Sequence, residues 1–322
     1  MVAVLAAVVV IFVLVEVNPF ARSAPLTNVD LLVSESQVTE GDRLTWISVD
    51  DQTVSVVSDN VEVDETYTVG DGEVILQLPN PDRIFADSVV SIDREGATRQ
   101  VGEADRVVVD PTSGLWLVVD SSGHTRGGVA LTNTTGAWRS RVFTVPVHRQ
   151  VVGATTDALV TLDGQERNRR LQLWDPQLSE VIADLGDVTG VLDVQADSIL
   201  VGRGCLVLGC DVQVIDAHTG GQQQVRLPAG WLDSGPARLV DEGHQIVQVV
   251  RKANGRTGLV VGPPEHPSVV AGVTPQMGAA PFVSQDGWIA VTNDVGDVVV
   301  VRGDQRRVVH LDAQQQLIGV RE

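Results

Sequence analysis

From Val29 onward, apolar runs of three to six residues alternate with clusters of Gly, Asp, Asn and Pro. Short apolar runs bounded by turn formers are the pattern of strands and tight turns. No window after the first twenty residues sustains a helical period. The stretch Asp197 to Leu227 is the clearest instance: Ile199-Leu200-Val201, Val212-Gln213-Val214-Ile215 and Val225-Arg226-Leu227 are separated by glycine-rich or polar turns.

This unit recurs. Asp157-Ala158-Leu159-Val160-Thr161, Asp197-Ser198-Ile199-Leu200-Val201, His244-Gln245-Ile246-Val247-Gln248 and Gly287-Trp288-Ile289-Ala290-Val291 each lead a strand out of a polar turn. Taking Leu159, Ile199, Ile246 and Ile289 as equivalent gives spacings of 40, 47 and 43 residues. A second strand follows each: Arg170–Trp174, Val212–Ile215, Gly258–Val261 and Asp297–Val301. Earlier in the chain, Leu44–Val49 pairs with Thr53–Val57, Val74–Leu78 and Ser88–Ile92 supply another unit, and Asp105–Val109 with Gly114–Val118 reads as a hairpin. A period of roughly 40–50 residues is that of propeller blades. Dividing about 295 residues by about 42 predicts an all-β propeller of roughly seven four-stranded blades, with about six or eight also compatible. Such a ring must close, because an open blade leaves strand edges exposed. The closing strands are expected in Val29–Val33 and in the tail Arg307–Val320.

Val214-Ile215-Asp216-Ala217-His218-Thr219-Gly220 resembles the repeat of pyrroloquinoline-quinone-type propellers, in which a strand ends in an Asp-Ala-x-Thr-Gly turn. Leu173-Trp174-Asp175-Pro176 resembles a degenerate copy and also the ending of tryptophan–aspartate repeats. The Trp that follows in quinoprotein repeats has no counterpart at the matching position, so the resemblance implies the blade architecture and not quinone binding. An apolar amino-terminal segment, a short linker and degenerate blades together resemble exported, membrane-anchored propellers of actinobacterial type. Fold analogy carries no activity with it.

The amino terminus stands apart. Val2 to Val15 is an unbroken apolar run ended by Glu16. It is short for a span, which needs about 20 residues, but residues 1–20 together approach that length. Residues 1–20 are therefore expected to form an apolar transmembrane or signal-anchor helix, 21–28 a polar linker, and 29–322 the propeller domain. A cleaved signal is the alternative, with Ala21-Arg22-Ser23 as a small-x-small site. No Lys or Arg precedes Arg22, so the positive-inside rule gives no orientation. The anchor and the cleaved signal both place the body outside the cytoplasm, single-pass at the cell membrane or secreted after cleavage; a buried core segment is the third reading of the run.

Charge narrows the partners. The chain has 42 acidic and 23 basic residues, a net charge of -19. Such a surface repels phosphate backbones, which excludes nucleic acid as a partner.

Candidate chemistry is sparse. Cys205 and Cys210, the only cysteines, lie in one predicted hairpin, and a close even pair in an exported chain reads as a disulfide; free buried thiols are the alternative. Arg167, Arg169 and Arg170 form a basic knot in an acidic chain, suited to an anionic ligand or acidic partner, or to a solvated loop. Asn293-Asp294-Val295-Gly296-Asp297 has the spaced oxygens of a calcium loop and equally the residues of a hairpin turn. Asn133-Thr134-Thr135 fits a glycosylation acceptor or a turn. The six tryptophans recur about once per blade in the later half, as packing between blades or as a carbohydrate-stacking platform. The six histidines (His124, His148, His218, His244, His266 and His310) show no metal-ligand spacing, and there is no nucleophile elbow and no phosphate loop. No catalytic, metal or cofactor residue is assigned, and no cofactor is expected.

The sequence therefore reads as a membrane-tethered extracytoplasmic propeller that binds or scaffolds a protein, peptide or glycan. The alternative is an extracytoplasmic enzyme, a quinone-dependent dehydrogenase or a glycan-acting lyase or hydrolase. Charged residues converging on the central channel would favour the enzyme.

Overall fold

The computed structural model describes residues 28–321, apart from the short segments 38–40, 62–64, 69–73, 80–85, 94–96, 111–113, 120–124, 135–136, 147, 165–168, 207–208 and 285. Among the described residues every regular element is a strand. In chain order these are β1 (Asp30–Gln37), β2 (Gly41–Ser48), β3 (Val54–Val61), β4 (Glu65–Thr68), β5 (Val74–Leu78), β6 (Asp87–Ile92) and β7 (Thr98–Ala104). Next come β8 (Arg106–Asp110), β9 (Gly114–Val119), β10 (Thr125–Thr134), β11 (Ala137–Pro146), β12 (Arg149–Ala154), β13 (Leu159–Asp163), β14 (Arg169–Asp175) and β15 (Glu180–Val188). The later part holds β16 (Gly190–Gln195), β17 (Ser198–Leu206), β18 (Gly209–Asp216), β19 (Gln222–Gln224), β20 (Leu232–Val240), β21 (Gln245–Arg251), β22 (Thr257–Gly262) and β23 (Ser268–Val269). Last are β24 (Phe282–Val283), β25 (Ile289–Thr292), β26 (Val298–Arg302), β27 (Gln305–Val309) and β28 (Gln315–Arg321).

The strands pair antiparallel into seven four-stranded sheets. Six are runs of consecutive strands, β4–β7, β8–β11, β12–β15, β16–β19, β20–β23 and β24–β27, and the seventh has the order β28-β1-β2-β3. We number the blades from that composite sheet, so β4–β7 is the second and β24–β27 the seventh. The leading strands β8, β12, β16, β20, β24 and then β28 lie next to one another around the ring. Each sheet thus begins at the centre and works outward, which makes the molecule a β-propeller.

Burial explains the sequence pattern. The second and third strands lie inside the sheet and are covered on both faces by neighbouring blades, so they read as continuous apolar runs. Leu159 to Leu162 and Val298 to Val301 are all buried. Leu159, Ile199, Ile246 and Ile289, equated by spacing, all fall at the start of the second strand of their blades. The core is accordingly not one central mass. The buried residues form seven apolar clusters, one between each pair of neighbouring blades; Leu200, Val212 and Val214 of the fifth blade, for example, pack on Ala237, Leu239 and Ile246 of the sixth.

Ring closure joins the ends of the chain. β1 pairs with β28, with Leu31 opposite Val320 and Val33 opposite Leu317 across a bulge. The expected closing tail began at Arg307, and this is corrected: Arg307 to Val309 belong to β27, the outer strand of the seventh blade. A turn then returns the chain to the centre, with the Gln315 amide donating to the Asp312 carbonyl and the Asp312 amide to Gln315 Oε1.

Among the described residues there is no helix long and apolar enough to cross a membrane. The amino-terminal helix expected over residues 1–20, and the linker to residue 27, lie outside the described residues.

Candidate functional site

Strand direction sorts the loops into two sets. Because the four strands of a blade alternate in direction, the start of the first strand, the turn between second and third, and the exit of the fourth share one rim of the ring, here the upper rim. The other two turns of each blade lie at the lower rim.

The inner strands bring charged groups toward the channel, and each described one has a partner within the protein. Arg106 Nη1 donates to the Val151 carbonyl (3.3 Å) and Arg238 Nη1 to the Leu192 carbonyl (2.9 Å). Asp193 Oδ2 accepts the Leu239 amide (2.7 Å), and Gln195 Oε1 the Gly243 amide (3.1 Å). Asp233 Oδ1 accepts Gln248 Nε2 (2.7 Å). Except for Asp233, which bonds within the sixth blade, these side chains satisfy backbone groups of the neighbouring blade, which covers part of its open inner edge. Enclosure between the fifth and sixth blades raises the Asp193 carboxyl above its usual range, and this desolvation outweighs the opposing charge of Arg238 and the amides of Leu239 and Val194.

The basic knot is divided. Arg167 lies outside the described residues. Arg169 Nη1 donates to Gln150 Oε1 (3.1 Å), and Arg170 Nε to Asp184 Oδ2 (2.5 Å). Both described arginines therefore have acceptors in their own sheet. The sequence missed the residue that completes this group: Arg149 donates to Gln172 Oε1, lies 3.6 Å from Asp163 Oδ2, and stacks 5.1 Å from the centre of the Trp174 ring. Burial pushes the Asp184 carboxyl up, but the Gly186 amide with the Gln172 and Arg170 side chains holds it below the usual carboxylate range.

Three of the described tryptophans are structural, and Trp116 and Trp231 are half-buried. Trp46, Trp174 and Trp288 are all buried, which leaves them no face for a sugar. A cation sits over each of four rings: Arg321 over Trp46, Arg149 over Trp174, Lys252 over Trp231 and Arg302 over Trp288. Trp231 also lies against Gly258, where an added Cβ would meet the ring at 2.7 Å.

The candidate motifs act as turns. Asp216 Oδ1 accepts the Thr219 amide (2.7 Å), and Gly220, at φ 67°, donates to the Asp216 carbonyl. The Thr219 amide is the main cause holding the Asp216 carboxyl below its usual value. Asp175 closes its turn in the same way onto Gln177 and Leu178. Asn293 Oδ1 accepts the Val295 and Asp297 amides (3.0 and 2.9 Å), so its oxygen serves the hairpin. Among the described residues no three His, Cys, Asp or Glu side chains are grouped as metal ligands. Three histidines pair singly with aspartates: His148 with Asp163, His218 with Asp197 and His310 with Asp297. The backbones of Cys205 and Cys210 flank the tip of the β17–β18 hairpin, where Leu206 pairs with Gly209; their side chains lie outside the described set, as do His124 and Thr135.

Exposed large apolar side chains lie on outer parts of several blades, Val54, Val56, Leu178, Ile182 and Val269 among them, and three gather on the upper rim at the sixth and seventh blades. Leu232, Met277 and Val295 are 47%, 67% and 75% exposed. The segments carrying Met277 and Val295 are joined by a Pro275–Asn293 bridge, by the Gln276 amide to the Thr292 carbonyl and by the Asp294 amide to the Thr274 carbonyl. Thr257 Oγ1 donates to the Pro275 carbonyl and ties them to the sixth blade. No periodicity marks such residues: Met277 and Val295 are isolated apolar side chains in polar loops, and Leu232 is the first residue of β20.

No protein-family model matches the chain, and no curated protein matches it. Solved structures do. The β-propeller domain of the Trilobed protease from Pyrococcus furiosus is 9% identical with a TM-score of 0.63, over 89% of this chain and 96% of that one. Pyrococcus horikoshii acylaminoacyl peptidase is 11% identical at TM-score 0.59, over 91% of this chain and 51% of that one. TolB from Acinetobacter baumannii is 10% identical at TM-score 0.52, over 92% and 66%. The chain spans about half of the peptidase, matching a part of a larger protein. The protease propeller is described as having an open velcro topology, whereas here β1 and β28 pair within one sheet. At these identities the likeness is one of fold, and the fold is the β-propeller.

Proposed function

We propose that this chain is a membrane-tethered, extracytoplasmic β-propeller that binds a protein or peptide on its upper rim and catalyses no reaction. The observation that carries the reading is the contrast between channel and rim. The described charged groups of the inner strands are engaged within the protein, some with the neighbouring blade and some within their own, while Leu232, Met277 and Val295 stand exposed beside one another's loops. Exposed apolar side chains grouped on a rigid frame are what a partner buries. The burial of Trp46, Trp174 and Trp288 weighs against a glycan platform built on them.

The tether fits this arrangement. β1 begins at Asp30 on the lower rim, so the linker of residues 21–28 reaches the body there. At about 3.5 Å per extended residue, such a linker spans at most about 28 Å. A segment anchored in the bilayer would hold the lower rim toward the membrane and turn the upper rim outward.

The test is affinity capture of the intact protein from its own envelope, beside a Met277→Asp, Val295→Asp variant. A reproducible partner lost in the variant supports the reading. A clean negative, or turnover of a small molecule by the purified protein, rejects it.

A further inference from the structure

The same stretch of rim carries an arrangement of charge that specifies the partner further. Leu232 pairs with Arg251, and Arg251 pairs with Thr257. Directly opposed residues project from the same face of a sheet, so these three stand in a row at the upper end of the sixth blade. That face is the one packed on the seventh blade, because Val249, two residues before Arg251, is buried there with Ile289 and Val291. Thr257, at the end of the row, holds the connection that presents Met277.

Arg251 Nε is buried from solvent with no acceptor in the protein. A guanidinium N–H held away from water without a partner is costly, and a carboxylate is its best-matched acceptor. Lys252, the only lysine of the chain, and Arg256 flank the Asn254-Gly255 turn beside it, so this six-residue stretch has three cations and no acid. The nearby carboxylates already have partners: Asp233 with Gln248, Asp294 with Thr274 Oγ1 (3.0 Å) and Asp297 with His310 (3.1 Å). The result is a cationic island on a body of net charge -19, placed directly beside exposed Leu232, Met277 and Val295.

We propose that this rim docks an extended acidic segment of a partner protein. Its apolar side chains rest on Leu232, Met277 and Val295, and its carboxylates meet Arg251, Lys252 and Arg256. The inference rests on the binding reading above and names the partner class for the same rim. Because the body as a whole carries a net charge of -19, an acidic segment is favoured at this island over the acidic faces.

The probe is a fluorescein-labelled peptide alternating leucine and glutamate, titrated with the full-length protein and followed by anisotropy. Leucine–lysine and serine–glutamate peptides of equal length are the controls. The expected result is saturable binding of the leucine–glutamate peptide alone, weakened on the order of tenfold by Arg251→Gln and by Met277→Asp. Met277 is an exposed loop residue, so its variant folds even if Arg251→Gln does not, and an unchanged melting curve confirms this. Equal binding of the lysine peptide, or full affinity in both variants, overturns the proposal. If envelope capture yields a partner that Arg251→Gln retains in full, the binding reading stands and the acidic-segment assignment fails. If neither capture nor titration gives binding, both fail.

Discussion

Arg321 and Asp30 are 291 residues apart in the chain and meet side by side: Arg321 Nε and Nη2 lie 3.2 and 3.1 Å from Asp30 Oδ2. The same guanidinium donates through Nη1 to the Asp93 carbonyl (2.7 Å) of the second blade and lies 3.8 Å from the centre of the Trp46 ring. One side chain thus fastens the last strand to the first and the first blade to its neighbour. Its side chain is only 4% exposed, so the pair is shielded from the screening that makes surface ion pairs weak.

Breaking this contact opens the ring. Removing one partner of a buried pair leaves the other charge uncompensated, and Arg321→Leu should lower the unfolding free energy by about 3 kcal/mol. Arg321→Lys should fall between, because a single ammonium cannot serve Asp30 and Asp93 together. Urea denaturation of the two variants measures both. Wild-type midpoints would mean that β28 is held by its backbone pairing alone.

A second closure acts between the fifth and sixth blades at Gly243. Its φ is 87°, and a Cβ there would fall 2.3 Å from Ser198 Cβ and 3.2 Å from the Gln195 carbonyl oxygen. Its amide meanwhile donates to Gln195 Oε1. Gly243→Ala combines a left-handed backbone with an overlap that no rotamer relieves, and should cost about 3 kcal/mol. Gly255→Ala is the control. Its φ is 84° but nothing lies near the added Cβ, so only the backbone cost of about 1 kcal/mol should appear.

These two contacts mark the boundary of what the sequence discloses. The interior strands are legible because both faces are buried: Leu159, Ile199, Ile246 and Ile289 announce the repeat through continuous apolar runs. The outer strand β19 is three glutamines and carries no such run, since one edge and much of its face meet water. The inner strand β16, Gly-Val-Leu-Asp-Val-Gln, is partly exposed throughout and places a carboxylate where a core residue would be expected. The closing strands follow from the need to pair edges, yet Arg307-Val308-Val309 looks as apolar as β28, so the pattern alone does not separate β27 from the closing strand. Of the rim, only the cations beside Asn254-Gly255 leave a local trace. Leu232 opens β20 while Met277 and Val295 come from two loops, and only the fold brings them to one side.

Asp193 gives the stability curve a signed pH dependence. Its carboxyl is raised above the usual value by enclosure, so between the unfolded and the native pKa the native state holds a proton that the unfolded chain has lost. That contribution is full below the unfolded pKa of about 3.9 and is lost as pH rises through the native value. Asp193→Asn keeps an oxygen for the Leu239 amide and removes the titration. Melting temperatures from pH 4 to pH 7 should therefore shift progressively in favour of the variant. Parallel profiles for the two proteins would show that Asp193 titrates alike in both states.

The hairpin tip of the fifth blade offers a test of compartment as well as stability. Cys205 and Cys210 follow one another across the β17–β18 turn, on strands already paired at Leu206 and Gly209, and we propose that they are joined in the exported protein. So small a loop removes little chain entropy, so the bond should contribute about 2 kcal/mol. Thiol titration of unreduced, denatured protein taken from the envelope should find no reactive thiol, and reduction should release two and lower the melting temperature. The same chain expressed in a reducing cytosol should show both thiols from the start. Two free thiols in the envelope protein would refute the bridge and remove this support for an extracytoplasmic body.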